Sequence, residues 1–288
     1  MDETLVLTFR VDLADEDDLQ GFLMVTVNVQ GLEERSDGML DVYIAAEDWT
    51  EETQHAVAQF AEARKSITLI EVKPLEVKDW NAEWESSIEP VLVTNEVVIT
   101  PSWKLEQSKE LRAKHTLIID PKMSFGTGHH ETTRLCMRAI EKIETQDAII
   151  ADIGTGSGVL AFYALQRGGD RAVAIDTDQW SIDNVKENQA LNNISDDVFD
   201  LRKGELEETI GKNESFDVII ANIHRNVLMS ISDGIASRCQ PGAYVILSGL
   251  LIYDGEEVRA KYEAAGLTFI EQLQENEWIS IILRNESI

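Results

Sequence analysis

The chain has 288 residues, room for two ordinary domains or for one with an appendage, and its ordinary apolar fraction allows a sizeable core. Fifty-three acidic residues against 25 basic ones leave a formal charge of −28, a surface that repels phosphate backbones, argues against a direct nucleic-acid partner and suits a basic macromolecule. No apolar run reaches membrane-spanning length, Met1-Asp2-Glu3-Thr4 lacks the features of a secretory signal, and the five histidines show no zinc spacing, so a cytoplasmic chain without a metal is expected, with Cys136 and Cys239 as free thiols.

Thr4 to Asp12 reads as a strand with Leu5, Leu7, Phe9 and Val11 on one face. A short helix covers Asp15 to Leu23. Met24 to Leu32 and Met39 to Ala46 read as strands, with Ser36-Asp37-Gly38 as the turn between them. Thr50 to Lys65 reads as a helix burying Ala56, Val57, Phe60 and Ala61, and Ile67 to Val72 closes the unit as a strand. The order βαββαβ predicts a small α+β, ferredoxin-like domain over residues 1–73. Residues 74–95 read as a connector in which Trp80 and Trp84 share one helical face.

From residue 96 to residue 288 the pattern changes. Val97 to Thr100 and Thr116 to Ile119 read as short strands, and Glu131 to Ile143 as a helix. Strands then alternate with helices: Ala148 to Ile153, Val159 to Arg167, Ala172 to Asp176, Ser181 to Leu191, Val198 to Arg202 and Phe216 to Ala221. The helix Val227 to Cys239, the strand Tyr244 to Ser248 and the helix Asp254 to Ala265 continue the series. This is a doubly wound, Rossmann-like α/β pattern. Leu267 to Leu273 and Trp278 to Leu283 are joined by a short polar turn and must therefore pair antiparallel. A seven-stranded sheet that ends in such a hairpin is the plan of class I methyltransferases.

The chemistry concentrates at Asp152-Ile153-Gly154-Thr155-Gly156-Ser157-Gly158, which leads from a buried strand into a helix. Glycines permit a tight turn and close approach of a ligand to the backbone, outside the carboxyl end of the strand. A dinucleotide fingerprint ends in Gly or Ala where this chain has Val159, whereas G-x-G-x-G after Asp152 resembles the methyltransferase pattern. Asp176 follows Gly154 by 22 positions, at the end of the next strand, where a carboxylate can accept both ribose hydroxyls; Asp178 is the better-placed helix cap. Asn222 stands just past the strand Phe216 to Ala221, placed to face the cofactor or the reacting methyl group. Enzymes that methylate adenine or glutamine nitrogens usually have Asn-Pro-Pro-Tyr there, and Asn222-Ile223-His224-Arg225 argues against those substrates.

Upstream, Phe125-Gly126-Thr127-Gly128-His129-His130-Glu131-Thr132-Thr133 resembles the signature of the bacterial ribosomal protein methyltransferases that modify the eleventh large-subunit protein. His129 stands where that family has Thr, and Glu131 where it has Pro. Trp80 to Trp84, Ile99 to Trp103, Leu247 to Leu251 and Glu277 to Ile279 also resemble family segments, so the likeness covers about residues 75 to 288. The N-terminal residues agree in plan but carry no family motif. The resemblance implies S-adenosyl-L-methionine as cofactor, contacted by Thr133, Gly154, Asp176 and Asn222, with Asp152, Gly156 and the Phe125, Gly126, Thr127, Gly128 loop beside it. It implies a basic ribosomal protein as partner, methylated on its α-amine and lysine amines, with Asn222 positioning the acceptor. It names no general base: His130 is at the family's His position, and His129 is not. The alternatives are a class I methyltransferase acting on another protein or a small molecule, a non-catalytic cofactor-binding module, and, against Val159, a nicotinamide oxidoreductase.

Overall fold

The computed structural model describes residues 4–12, 14–35, 38–75, 88–122 and 125–287. The chain divides into two compact units, Met1–Asn81 and Ala82–Ile288. The connector segment that carries Trp80 and Trp84, and the turn residues Ser36 and Asp37, lie outside the described residues.

The first unit is β1 (Thr4–Val11), α1 (Glu16–Thr26), β2 (Val29–Glu34), β3 (Met39–Ala45), α2 (Glu51–Glu62) and β4 (Ile67–Pro74). Its antiparallel sheet has the order β2-β3-β1-β4, which is the ferredoxin-like arrangement. Leu7 and Phe9 of β1 pack with Leu19, Leu23, Val42, Ile44 and Val57 in one buried cluster. Thr50 caps α2, accepting the Thr53 N–H. One expectation fails here: Met24 to Thr26 belong to α1 and not to a strand. Leu19, Leu23 and Val27 are buried at a four-residue spacing, and Val27 N–H donates to Leu23 O at 2.9 Å. Burial of that stripe outweighs the strand preference of Val25, which is 86% exposed.

The second unit opens with a three-stranded sheet, β5 (Val91–Leu92), β6 (Val97–Thr100) and β7 (His115–Ile118), in that order, with α3 (Leu105–Ser108) between β6 and β7. There follow α4 (Glu131–Glu141), β8 (Ile149–Ile153), α5 (Val159–Gln166), β9 (Arg171–Asp176), α6 (Gln179–Leu191), β10 (Phe199–Lys203) and α7 (Leu206–Thr209). Then come β11 (Phe216–Asn222), α8 (Arg225–Ser230), α9 (Ser232–Ser237), β12 (Cys239–Leu251), α10 (Gly255–Ala264), β13 (Thr268–Glu275) and β14 (Trp278–Arg284). The main sheet runs β10-β9-β8-β11-β12-β14-β13, parallel except for β14.

Alternation along the strands builds two cores. Ile150, Val218, Ile220, Ile246 and Ile282 face α4 and α5, while Ala151, Ile219, Ala221, Val245 and Ile281 face Leu228, Ile235, Val258 and Tyr262. The predicted helix Val227 to Cys239 is instead two short helices, interrupted at Ile231, and Cys239 already belongs to β12. Both cysteines are free thiols. Among the described residues no helix is long and apolar enough to cross a membrane, and no cluster of candidate metal ligands occurs.

Candidate functional site

β8 lies beside the central strand β11 of the main sheet, where the strand order turns back, and its carboxyl end opens into a cavity of about 670 Å³. The glycine turn is its floor. Gly154, Gly156 and Gly158 have φ of +72°, +58° and +86°, the left-handed region that side chains rarely adopt. A Cβ on Gly156 would stand 2.6 Å from Phe125 O, and one on Gly154 would collide with the Ile223 side chain. Both turn amides of Gly154 and Thr155 donate to Ile175 O, at 2.9 and 3.0 Å.

Asp176 closes β9 and lines the cavity. Its Oδ2 accepts the Gly156 N–H at 2.9 Å and its Oδ1 the Asp178 N–H at 3.0 Å. Each carboxylate oxygen has a further lone pair for a ligand. Asp178 caps α6 through Ser181 N–H, and that hydrogen bond holds its carboxyl below the usual range. Asn222 closes β11 and lines the same cavity, with its Oδ1 buried and without a protein partner. A buried amide oxygen left unpaired is costly, and a ligand donor at this point would relieve it.

Several expected site residues lie behind the cavity wall. Asp152 is fully buried beneath the turn, where its Oδ2 accepts from Thr155 Oγ1 at 2.7 Å and from Ala161 N–H at 3.2 Å. It shapes the turn without lining the cavity. Burial pushes its carboxyl up to about 6. Thr133 is also fully buried and absent from the lining, and its neighbour Thr132 lines the cavity instead. Successive helical residues point about 100° apart, so one position decides between cavity and core. Of the loop from Phe125 to Gly128, only Phe125 reaches the cavity. Gly126 and Gly128, at φ of +109° and +85°, let the loop sit directly on the turn: Ser157 N–H donates to Phe125 O at 2.9 Å and Ser157 Oγ to Gly126 O at 3.0 Å. Thr127 Oγ1 lies 3.3 Å from His129 Nδ1.

His130 is the N-cap of α4, its Nδ1 accepting the Thr132 N–H at 3.2 Å. The same Nδ1 lies 2.9 Å from Thr132 Oγ1. The ring lies 5.0 Å from that of Phe125 and 4.9 Å from that of Trp278, edge to face in both pairs. Gly204, Glu205 and Leu206, beyond β10, complete the far wall. No sequence motif singles out this segment or Thr132. The segment's one sequence signal is position: Gly-Glu directly after the strand that neighbours β9.

Residues 13–286 match the family model described as "Ribosomal protein L11 methyltransferase (PrmA)". A ribosomal protein L11 methyltransferase of Chlorobaculum parvum is 33% identical over 284 residues, 96% of this chain and 95% of that protein. One of Bacteroides thetaiotaomicron is 34% identical over 248 residues, 85% of this chain and 86% of that protein. Among solved structures, a ribosomal protein L11 methylase from Lactobacillus delbrueckii subsp. bulgaricus matches with a TM-score of 0.64 at 26% identity, covering 69% of this chain and all of that one. A methyltransferase from Pyrococcus furiosus, 16% identical, shares the fold with a TM-score of 0.52, covering 64% of this chain and 96% of that one. With the parallel sheet, its terminal hairpin and the glycine turn in place, this chain belongs to the ribosomal protein L11 methyltransferase family, class I enzymes whose cofactor is S-adenosyl-L-methionine.

Proposed function

We propose that this chain methylates ribosomal protein L11 on its α-amine and lysine amines, in the cytoplasm. The observation that carries the reading is the cavity at β8, which joins the Gly154-Gly156 cradle, the Asp176 carboxylate and the unpaired Asn222 Oδ1 in one space. These features fit S-adenosyl-L-methionine: the glycines would leave room for its backbone contact, Asp176 would accept ribose hydroxyls, and Glu205 or backbone nearby would meet the base. When bound, the cofactor supplies an electrophilic methyl group on a sulfonium. Asp152 and the Phe125–Gly128 loop support the turn from below and from the side, and Thr133 packs behind Thr132.

The protein's task is then positional. Asn222 orients the acceptor amine or the reacting end of the cofactor, and the enclosing walls exclude water. Desolvation lowers the amine's pKa, so its proton leaves to solvent before transfer without a dedicated base. His130, with Nδ1 committed to the helix cap, is a wall. Holding amine and methyl in line supplies several kcal/mol or more of the barrier reduction. The ferredoxin-like domain, residues 1–73, recognises the protein acceptor, and residues 74–95 connect it to the methyltransferase domain at 96–288. A chain of charge −28 and a basic ribosomal protein are electrostatically matched.

The test is incubation with methyl-labelled cofactor and a ribosomal protein extract. Label on L11 amines is the expected result, and label confined to RNA or small molecules refutes the reading. Asn222→Ala should lower turnover at saturating cofactor far more than it weakens cofactor binding, and unchanged turnover would remove Asn222 from the mechanism.

A further inference from the structure

The lining of the cavity follows the strand order. Asp176, Gly204 and Glu205 stand beyond β9 and β10 at one end, Gly154 and Gly156 after β8 in the middle with Phe125 seated against the turn, and Asn222 and Trp278, on β11 and β14, at the other end, with the His130 ring beside those of Phe125 and Trp278. On the cofactor assignment proposed above, the first two parts are taken up by adenosine and methionine. The end beyond Asn222 is left for the acceptor.

That end is aromatic. The His130 ring stands between those of Phe125 and Trp278, at 62° and 67° to them. Edge-to-face packing of this kind fixes the rings against one another, and each pair covers one face of one ring only. Phe125 is 49% exposed, a large apolar side chain that its own fold does not cover. Ring faces attract alkylammonium ions, the form in which a lysine side chain or a chain N-terminus arrives at neutral pH.

One side chain ties this wall together from behind. Arg134, on α4 and outside the cavity lining, donates through Nε and Nη2 to Glu275 Oε1 at 2.8 and 2.5 Å. Its Nη1 donates to His129 O and, at 3.5 Å, to Gly128 O. Arg138 Nη1 lies 2.7 Å from Glu275 Oε2, and Asn276 Nδ2 donates to Glu131 Oε1 at 3.1 Å. One guanidinium, 18% exposed, thus links the segment that carries Phe125 and His130 to the hairpin that carries Trp278. Arginine suits this place because its planar fork holds several acceptors in fixed directions, which a lysine cannot do.

We propose that Phe125, His130 and Trp278 form the entrance for the acceptor's alkylammonium group, and that Arg134 is the positioning residue that sets the spacing of these rings. The identity of the acceptor rests on the methyltransferase reading; the wall itself is tested separately.

With S-adenosylhomocysteine bound, n-butylammonium, which has the length of a lysine side chain, is titrated while the Trp278 indole N–H is followed by NMR. The Trp278→Phe variant identifies that signal. A saturable shift of the Trp278 signal is expected, and no shift overturns the proposal. In kinetics with ribosomal protein L11, Trp278→Ala should raise KM for the protein by about tenfold. Trp278→Phe should restore most of it, and S-adenosylhomocysteine affinity should stay within about twofold by calorimetry. Arg134→Met should raise the same KM with little change in cofactor affinity, with partial recovery in Arg134→Lys. Equal losses of cofactor and acceptor affinity in Trp278→Ala would assign the wall to the cofactor and overturn the proposal. If the wild type binds S-adenosylhomocysteine but methylates no L11 amine, the functional reading fails, and the butylammonium titration alone decides the wall.

Discussion

Asp152 offers a quantitative test of how the cavity floor is built. Its Oδ2 accepts two hydrogen bonds, from Thr155 Oγ1 and Ala161 N–H, while Oδ1 is buried without a partner. Burial raises the carboxyl from 3.8 to about 6; the two hydrogen bonds oppose this, and the nearby Asp176 charge adds to it. The folded chain therefore holds this proton more tightly than the unfolded chain, and the group's contribution to stability is lost as pH rises from about 4 through about 6. At about 1.4 kcal/mol per pH unit, ionising the folded carboxyl costs about 3 kcal/mol at pH 8 and about half of that at pH 5. Asp152→Asn keeps an acceptor at the Oδ2 position and cannot ionise. The difference in stability between variant and wild type should thus shift in the variant's favour by about 1.5 kcal/mol between pH 5 and pH 8. Native-state hydrogen exchange at the buried amides of β8 and β11, without cofactor, reads the second unit's opening free energy at each pH. A difference that is the same at both pH values, or that moves the other way, would refute the account of a carboxyl destabilised by burial.

Gly156→Ala should lose cofactor affinity by at least about tenfold in calorimetry, because a left-handed alanine costs about 1–2 kcal/mol and its Cβ meets the Phe125 carbonyl; unchanged affinity would detach the turn from the cofactor. Arg238 is fully buried, and its guanidinium binds Glu207, Gly234 O and Ile210 O around α7, whose Leu206 lines the cavity. Arg238→Met should cost about 1–3 kcal/mol of stability and raise KM for the cofactor with little effect on KM for the protein acceptor; equal effects on both would refute the link. For a basic protein acceptor, kcat/KM should fall severalfold between 0.01 and 0.1 M salt, as the screening length shrinks from about 30 to about 10 Å, while kcat holds. A flat salt profile would show that the charge of −28 has no part in the encounter.

How far the sequence reveals such a site depends on how local each wall is. The turn from Gly154 to Gly158 and the acid Asp176 could be read directly, because strand and helix lengths fix the spacing between them and their backbone demands are chemical: left-handed φ for the glycines, a strand-end carboxylate for Asp176. Asn222 followed from the same rule at the end of β11. Thr133 shows where spacing alone does not decide. The signature places a threonine on the right turn of α4, but which of Thr132 and Thr133 meets the cavity is set by rotation about the helix axis, and that rotation is set by packing of Cys136, Met137 and Ile140 against the sheet. Asp152 is alike in this: its place at the end of an apolar strand is visible, but the direction of its carboxylate depends on hydrogen bonds from Thr155 and Ala161.

The aromatic end depends least on local pattern. Phe125 and Trp278 are far apart in the chain, and nothing in the periodicity of either segment points to the other. They line one cavity because the antiparallel β14 returns beside β12, bringing the start of the strand to the carboxyl ends of the parallel strands. A strand entering the sheet in reverse delivers its first residue where its neighbours deliver their last. That reversal puts Trp278 at the cavity, and Arg134, held to Glu275 on the facing strand, fixes it to the loop beside the glycine turn. The hairpin that marks the fold class is therefore also what closes the cavity at its aromatic end, so fold and site at this end have one cause, visible in sequence only as two short strands around a polar turn.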